Sequence, residues 1–309
     1  IALYCTYLFA KHLTKHHLIS LLMAFLFVIS PLYFRFTVYW PFFSDVFIFM
    51  PLLLLSIERY LTCKKIGLFI VTTSLILINN FYFAYYLLII GAGYIILRII
   101  FRHPNDLANR KQALCIFGIS GFLSFGNSLF IFYHSVQSYL NNRRVPFSGK
   151  VPHFEHLDAN TNLFFDNYLI VILFITIQAI LSFKLYRHFY YRVFAILTII
   201  FICFNFIPFI DQLFNGFSAP QKRWHFIIAF NSAMLIGFYV KYFKTISIKS
   251  YLITSILAQS VIFISAIIYH TYVAWIILVP IVSVIGLCIL IINDRTSRTK
   301  LTYLFIIAI

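Results

Sequence analysis

The densest set of chemically able side chains lies in Asp211-Gln-Leu-Phe-Asn-Gly-Phe-Ser-Ala-Pro-Gln-Lys-Arg-Trp224, between two apolar runs. The guanidinium of Arg223 can grip a phosphate with paired N–H groups, and Lys222 beside it adds a second positive charge. Trp224 can stack on a sugar face. Asp211, Asn215 and Ser218 would add carboxylate, amide and hydroxyl contacts. The plainer alternative is an interfacial anchor, since Trp and cations at span ends are common. Gly216 and Pro220 are turn residues, so the stretch is expected to be a loop of defined path rather than a helix.

A second acid, Asp45, follows Tyr39-Trp-Pro-Phe-Phe-Ser44 and opens an apolar run. It would either sit at a helix N-terminus, favoured by the helix dipole, or act as the catalytic carboxylate that positions or deprotonates an acceptor hydroxyl. His153, Glu155, His156 and Asp158 have a spacing that a divalent cation would accept, although polar loops collect such residues by chance. A divalent metal is the one cofactor this pattern would admit. No nucleophile elbow, Walker loop or deaminase signature is present. The five cysteines are scattered without paired spacing, so no disulfide or zinc framework is expected, and the four in apolar spans read as small hydrophobes.

The elements that must position these residues are membrane spans. Of the 309 residues, 62% are hydrophobic and 10% charged, and the mean hydropathy is +0.93. Many apolar runs approach the ~20 residues needed to cross a bilayer. The fold class is therefore an all-α polytopic membrane protein, with 1–309 as a single transmembrane domain. About ten full spans are expected, at 18–34, 42–58, 66–78, 82–98, 112–133, 167–183, 193–208, 225–240, 250–269 and 273–292. Partial helices at 1–10 and 301–309 flank them, so the chain reads as an internal fragment of a longer protein.

Charge placement orients the spans. With the loops 11–17, 59–65, 98–111, 184–192, 241–249 and 293–300 inside, 18 of the 24 Lys and Arg residues face the cytoplasm. The outer side keeps the loop at 35–45, a turn at Asn79-Asn80, a long polar loop at about 134–166, the loop at 209–224 and a turn near His270. The net charge of +16 then belongs to anionic membrane lipids as partners rather than to nucleic acid. No Asp, Glu, Lys or Arg is expected near a bilayer midplane, which argues against an ion-coupled transporter. The aromatic run Phe81-Tyr-Phe-Ala-Tyr-Tyr86 is read either as packing or as the lining of an isoprenoid groove.

Three stretches resemble the YfhO family of bacterial membrane proteins: Tyr39-Trp-Pro-Phe-Phe-Ser-Asp45 running into Met50-Pro-Leu-Leu-Leu-Leu-Ser-Ile-Glu-Arg59; Asn79-Asn-Phe-Tyr-Phe-Ala-Tyr-Tyr86; and Asn215-Gly-Phe-Ser-Ala-Pro-Gln-Lys-Arg-Trp224. Their order and spacing also fit, and the third is the most specific. The resemblance implies a GT-C-like membrane glycosyltransferase in the bacterial plasma membrane. Its donor would be a polyprenyl-phosphate-linked sugar, and its acceptor a cell-envelope polymer of the teichoic-acid kind on the outer face. Such enzymes keep their main catalytic acid in the first outer loop, which the resemblance puts upstream of residue 1; within this chain Asp45 is the acid candidate. Two rival classes share the spans and the outer basic loop: a flippase for lipid-linked sugar or polymer, and a non-catalytic accessory protein.

Overall fold

The computed structural model describes residues 1–141, 147–155, 163–164, 173–269, 276 and 278–295. Among them the chain is helical, with no strand. The helices are α1 (Ala2–Thr14), α2 (His17–Val28), α3 (Pro31–Tyr39), α4 (Val46–Cys63), α5 (Gly67–Asn79), α6 (Phe81–Ile100), α7 (Arg110–Leu140), α8 (Phe174–Leu181), α9 (Phe189–Phe204), α10 (Pro208–Phe214), α11 (Phe226–Tyr242), α12 (Ile248–Ile268) and α13 (Leu278–Arg295). Their ends carry local signals that the sequence dictates. The Asn80 side chain accepts from the backbone N–H groups of Tyr82 and Phe83 to start α6, and Asn109 accepts from Gln112 to start α7. Lys15 and Lys64 close α1 and α4 in left-handed conformation.

Among the described residues five helices are long and apolar enough to cross a membrane, or up to seven if each of two bent pairs counts as one span. Each expected full span contains a described helix, although within 167–183 that helix is only α8 (Phe174–Leu181). The shorter ones separate helix count from span count: α5 has 13 residues, about 20 Å at 1.5 Å per residue against the ~30 Å hydrocarbon core.

Three expectations need correcting. The span at 18–34 is broken into α2 and α3 with a 49° bend. Pro31 opens α3, and a proline there has no N–H to continue the ladder and crowds the carbonyl four residues back. The outer loop at 35–45 is accordingly helical to Tyr39, then a 3₁₀ turn at Pro41–Phe43. The stretch at 209–224 is not wholly a loop: Pro208 starts α10, which leaves α9 at 105° and runs to Phe214. Gly216 (φ 61°) and Phe217 (φ 59°) then turn the chain, and only the glycine takes that conformation without steric cost. Residues 142–146, 156–162, 165–172, 270–275, 277 and 296–309 lie outside the described residues. So do the sequence assignments that fall there, including His156, Asp158 and the turn at His270.

The core is centred on α11, whose residues Phe226–Val240 are all buried. Gly237 lets α2 approach, because a Cβ there would overlap the Met23 side chain. Phe9, Phe27 and Phe194 pack against Phe230 of α11 in edge and tilted ring contacts, and Phe27 stacks on Phe47. By contrast, α7 and α12 leave broad apolar faces exposed, among them Phe122, Phe130, Ile256 and Ile267, as lipid-facing helices do.

Both ends of α4 and α6 carry polar clusters. At the inner end, Arg98 from the last turns of α6 meets Glu58 of α4 through Nε at 2.6 Å and Asp106 through Nη2 at 2.8 Å. Tyr94 and Tyr190 donate to the two Glu58 oxygens at 2.7 and 2.9 Å, and the Phe101 carbonyl accepts from Arg98 Nη1. The segment after α6 is tied down as the Leu107 and Ala108 amides bond the Leu61 carbonyl. Glu58, Arg98 and Asp106 are all buried. The other end holds the candidate site.

Candidate functional site

The outer corner forms where the start of α4, the junction of α5 with α6, and the segment after α10 converge. These are the three stretches that carry the family resemblance. α4 opens at Asp45, whose carboxylate makes no capping bond to its own helix. Instead Oδ2 accepts from the Asn79 side chain at 2.6 Å. Asn80 bonds the Phe42 carbonyl at 3.3 Å while capping α6. The turn between α5 and α6 thus fixes both the carboxylate and the aromatic shelf before it.

That shelf receives Arg223. Its guanidinium carbon lies 5.3 Å from the centre of the Phe43 ring and 5.5 Å from that of Tyr82. Arg223 Nη1 donates to the Tyr82 hydroxyl at 3.0 Å. Among the described residues Arg223 has no carboxylate partner, and the side chain is only partly buried. Its neighbour differs. Lys222 pairs with Glu155 at 2.5 Å and also reaches the Asn205 carbonyl at 3.4 Å. The two adjacent cations therefore do not form one clamp: Lys222 ties the segment at 147–155 to the corner.

Behind Arg223 stands a buried wall. Trp224 is 0% exposed, and its indole N–H donates to Asp211 Oδ1 at 2.6 Å. Phe214 stacks against the indole at 5.6 Å and 22°, so in this geometry the ring faces the protein rather than open space. Asp211, also buried, is reached from α10, and Trp224 from the turn before α11; their bond closes the segment between them into a fixed arc. Asn215 lies inside the arc, its amide donating to the Ala219 carbonyl at 2.7 Å and its oxygen accepting from Tyr82 at 2.5 Å. Ser218 is exposed at the tip.

Sequence reasoning missed Tyr82. It is one aromatic in a run of them, and the run divides by helical face. Phe83 and Tyr86 are buried in the core, Tyr82 faces Arg223, and Phe81 packs toward Tyr139 of α7 at 5.5 Å. The inner cluster was missed as well. Its signal was an acid, Glu58, ending an apolar helix at the end where the dipole disfavours it, which calls for a paired cation. Of the four residues with metal-ligand spacing, His153 is exposed and Glu155 is taken by Lys222; His156 and Asp158 lie outside the described residues. No group of three or more His, Cys, Asp or Glu placed to hold a metal occurs among the described residues.

Chemically, the corner offers a half-buried guanidinium with N–H groups that no acceptor takes among the described residues, oriented by rings and a hydroxyl, and a carboxylate on the adjoining turn. The first suits a phosphate, the second a hydroxyl that must lose its proton.

Comparison with known proteins gives a family. The profile described as "Bacterial membrane protein YfhO" matches residues 1–309. An uncharacterized protein YfhO from Bacillus subtilis (strain 168) is 39% identical over 224 residues, which is 72% of this chain and 25% of that protein. The chain thus aligns with about a quarter of the relative's length. No solved structure matches.

Proposed function

The chain belongs to the YfhO family of bacterial membrane proteins, and on that premise we propose that it carries the donor-phosphate site of a membrane glycosyltransferase. The reading is a GT-C-type transfer from a polyprenyl-phosphate-linked sugar to a hydroxyl of a cell-envelope polymer, teichoic-acid-like, at the outer face. The bond that forms joins the acceptor oxygen to the sugar's anomeric carbon. The bond that breaks joins that carbon to the phosphate oxygen, which leaves with the electron pair. Arg223 stabilises the charge that develops on the departing lipid phosphate. Within this chain, Asp45 is the carboxylate assigned to the acceptor proton, with Asn79 orienting it. Asp211, Asn215 and Trp224 hold the arc that presents Arg223, and Lys222 anchors the neighbouring segment.

The observation that carries this reading is Arg223 itself: a partly buried guanidinium, framed by Phe43 and Tyr82, with no carboxylate partner among the described residues. Leaving such a cation unneutralised near apolar surroundings is costly, and an anionic ligand removes that cost.

The test uses the full reading frame in membranes given a polyprenyl-phosphate-linked radiolabelled sugar, counting label in the envelope-polymer fraction. Arg223→Ala is expected to lower transfer by about 10²–10³-fold, the scale for removing one oxyanion-stabilising group, with membrane levels unchanged. Wild-type transfer in that variant removes Arg223 from the site. Donor crossing the bilayer without a new glycosidic bond would identify a flippase instead. Loss of co-purifying protein with no turnover at all would identify an accessory role.

A further inference from the structure

The Tyr82 hydroxyl joins α6 to the segment after α10, while its ring lies against Phe43 before α4, and its hydrogen bonds have a fixed direction. A hydroxyl has one proton to donate and two lone pairs to accept with. Arginine only donates, so the 3.0 Å contact from Arg223 Nη1 fills one lone pair. The Asn215 amide is oriented by its own donation to the Ala219 carbonyl, which turns the carbonyl oxygen Oδ1 toward Tyr82. That oxygen only accepts, so the Tyr82 proton goes to Asn215. The third contact, 2.6 Å from the Tyr86 hydroxyl, then requires Tyr86 to donate. Tyr86 is itself fully buried and stacked on Phe214 at 5.6 Å.

Every valence of the Tyr82 oxygen is therefore used, and it presents only acceptor character to Arg223. The ring adds a second restraint: with Phe43 it borders the guanidinium, limiting rotation about the bond to Nη1. A free arginine side chain would have to lose its rotamer freedom when a ligand arrives; here much of that ordering precedes binding.

We propose that Tyr82 is a positioning residue of this site, its hydroxyl and ring directing the remaining N–H groups of Arg223 at a polyprenyl phosphate. The inference rests on the reading of Arg223 as the phosphate ligand. Tyr82 acts through Arg223 and does not touch the reacting atoms.

The experiment is a double-mutant cycle on the full-length protein in phosphatidylcholine nanodiscs, measuring binding of radiolabelled polyprenyl monophosphate alone. Tyr82→Phe keeps the ring and removes the hydroxyl. It is expected to weaken binding by about tenfold to a hundredfold, the range for a hydrogen bond to a charged group. In an Arg223→Ala background the same change is expected to alter binding less than about twofold, because the arginine it positions is gone. A merely structural tyrosine would weaken binding by the same factor in both backgrounds, and that result overturns the proposal. So does wild-type binding by Tyr82→Phe. Should that variant lower protein levels, Asn215→Ala in both backgrounds supplies the second arm: it removes the acceptor that fixes the Tyr82 hydroxyl, so binding is expected to weaken only where Arg223 is present, and equal weakening in both backgrounds overturns the proposal. Absence of binding by the wild type overturns the phosphate-site reading and this inference together, whereas binding with additive effects overturns the inference alone.

Discussion

At the inner end of α4 and α6, Arg98 meets two carboxylates, a carbonyl and the tyrosines that complete Glu58. At the outer end, Arg223 meets two aromatic rings and a hydroxyl. The ingredients overlap: an arginine, a tyrosine, a nearby acid and an aromatic bed, Phe189 lying 4.9 Å from the Arg98 guanidinium and Phe43 5.3 Å from that of Arg223. What differs is closure. Arg98 is buried with an acceptor of this chain on each guanidinium nitrogen, while Arg223 is partly exposed and, among the described residues, donates only to Tyr82. A closed cluster of this kind holds helices in register; an open one is suited to a ligand. The comparison also separates two ways of reading a charge count, since both arginines contribute equally to the net +16.

The largest expected effect tests the closed end. Arg98→Ala leaves Glu58 and Asp106 buried without their cation, a defect that costs about 3–5 kcal/mol. Thermal unfolding of the detergent-solubilised protein should register it, together with a fall in membrane yield. The matching change at the open end should separate the two roles: under the proposed function Arg223→Ala is expected to lose transfer yet to shift stability by about 1 kcal/mol or less. Equal destabilisation by the two variants would break the comparison. Next comes the wall behind Arg223. Trp224→Phe keeps an aromatic ring but withdraws the indole N–H from buried Asp211, for about 1–3 kcal/mol of stability; an unchanged melting temperature would mean that the bond does not fix the arc.

The smallest effect is a pH dependence at the inner end. His103, in the segment between α6 and α7, stacks on Tyr190 at 5.3 Å. Burial lowers its pKa below the ordinary imidazole value, Asp106 pulls the other way and Arg98 adds to the lowering. The folded state then takes up this proton less readily than the unfolded one. The stability due to the neutral ring is intact above the unfolded-state pKa and declines as the pH falls through and below it. His103→Gln should flatten that acid limb, seen as melting temperature against pH; an unaltered profile would show that His103 does not contribute.

How much of this could be read from the chain differs between its parts. The helices were legible because apolar runs of membrane length leave the backbone few alternatives. The breaks before α3 and α10 were also written there, in Pro31 and Pro208, although a hydropathy profile smooths across them. The loop motif was recognised as chemically dense, but the division of labour within it was not. Lys222 and Arg223 are adjacent and look equivalent; Glu155, brought in from 67 residues away by position number, occupies one and leaves the other. Trp224 has the chemistry of an interfacial anchor, yet Asp211 draws its N–H inward. Tyr82 carried no distinguishing mark among its aromatic neighbours until Asn215 and Arg223 arrived from across the fold.

By itself, then, the sequence determined that this chain lives in a membrane, roughly where most of its helices lie and which short stretches hold polar and charged side chains. Those properties follow from local composition and from the cost of placing charge and unpaired backbone in hydrocarbon, which each segment meets on its own. The tertiary structure alone decided which charges are neutralised. Glu58 finds Arg98 across 40 positions and Tyr82 finds Arg223 across 141. A pairing at that separation depends on helix packing, because electrostatic and hydrogen-bond energies are set by distances of a few ångströms that no local pattern specifies.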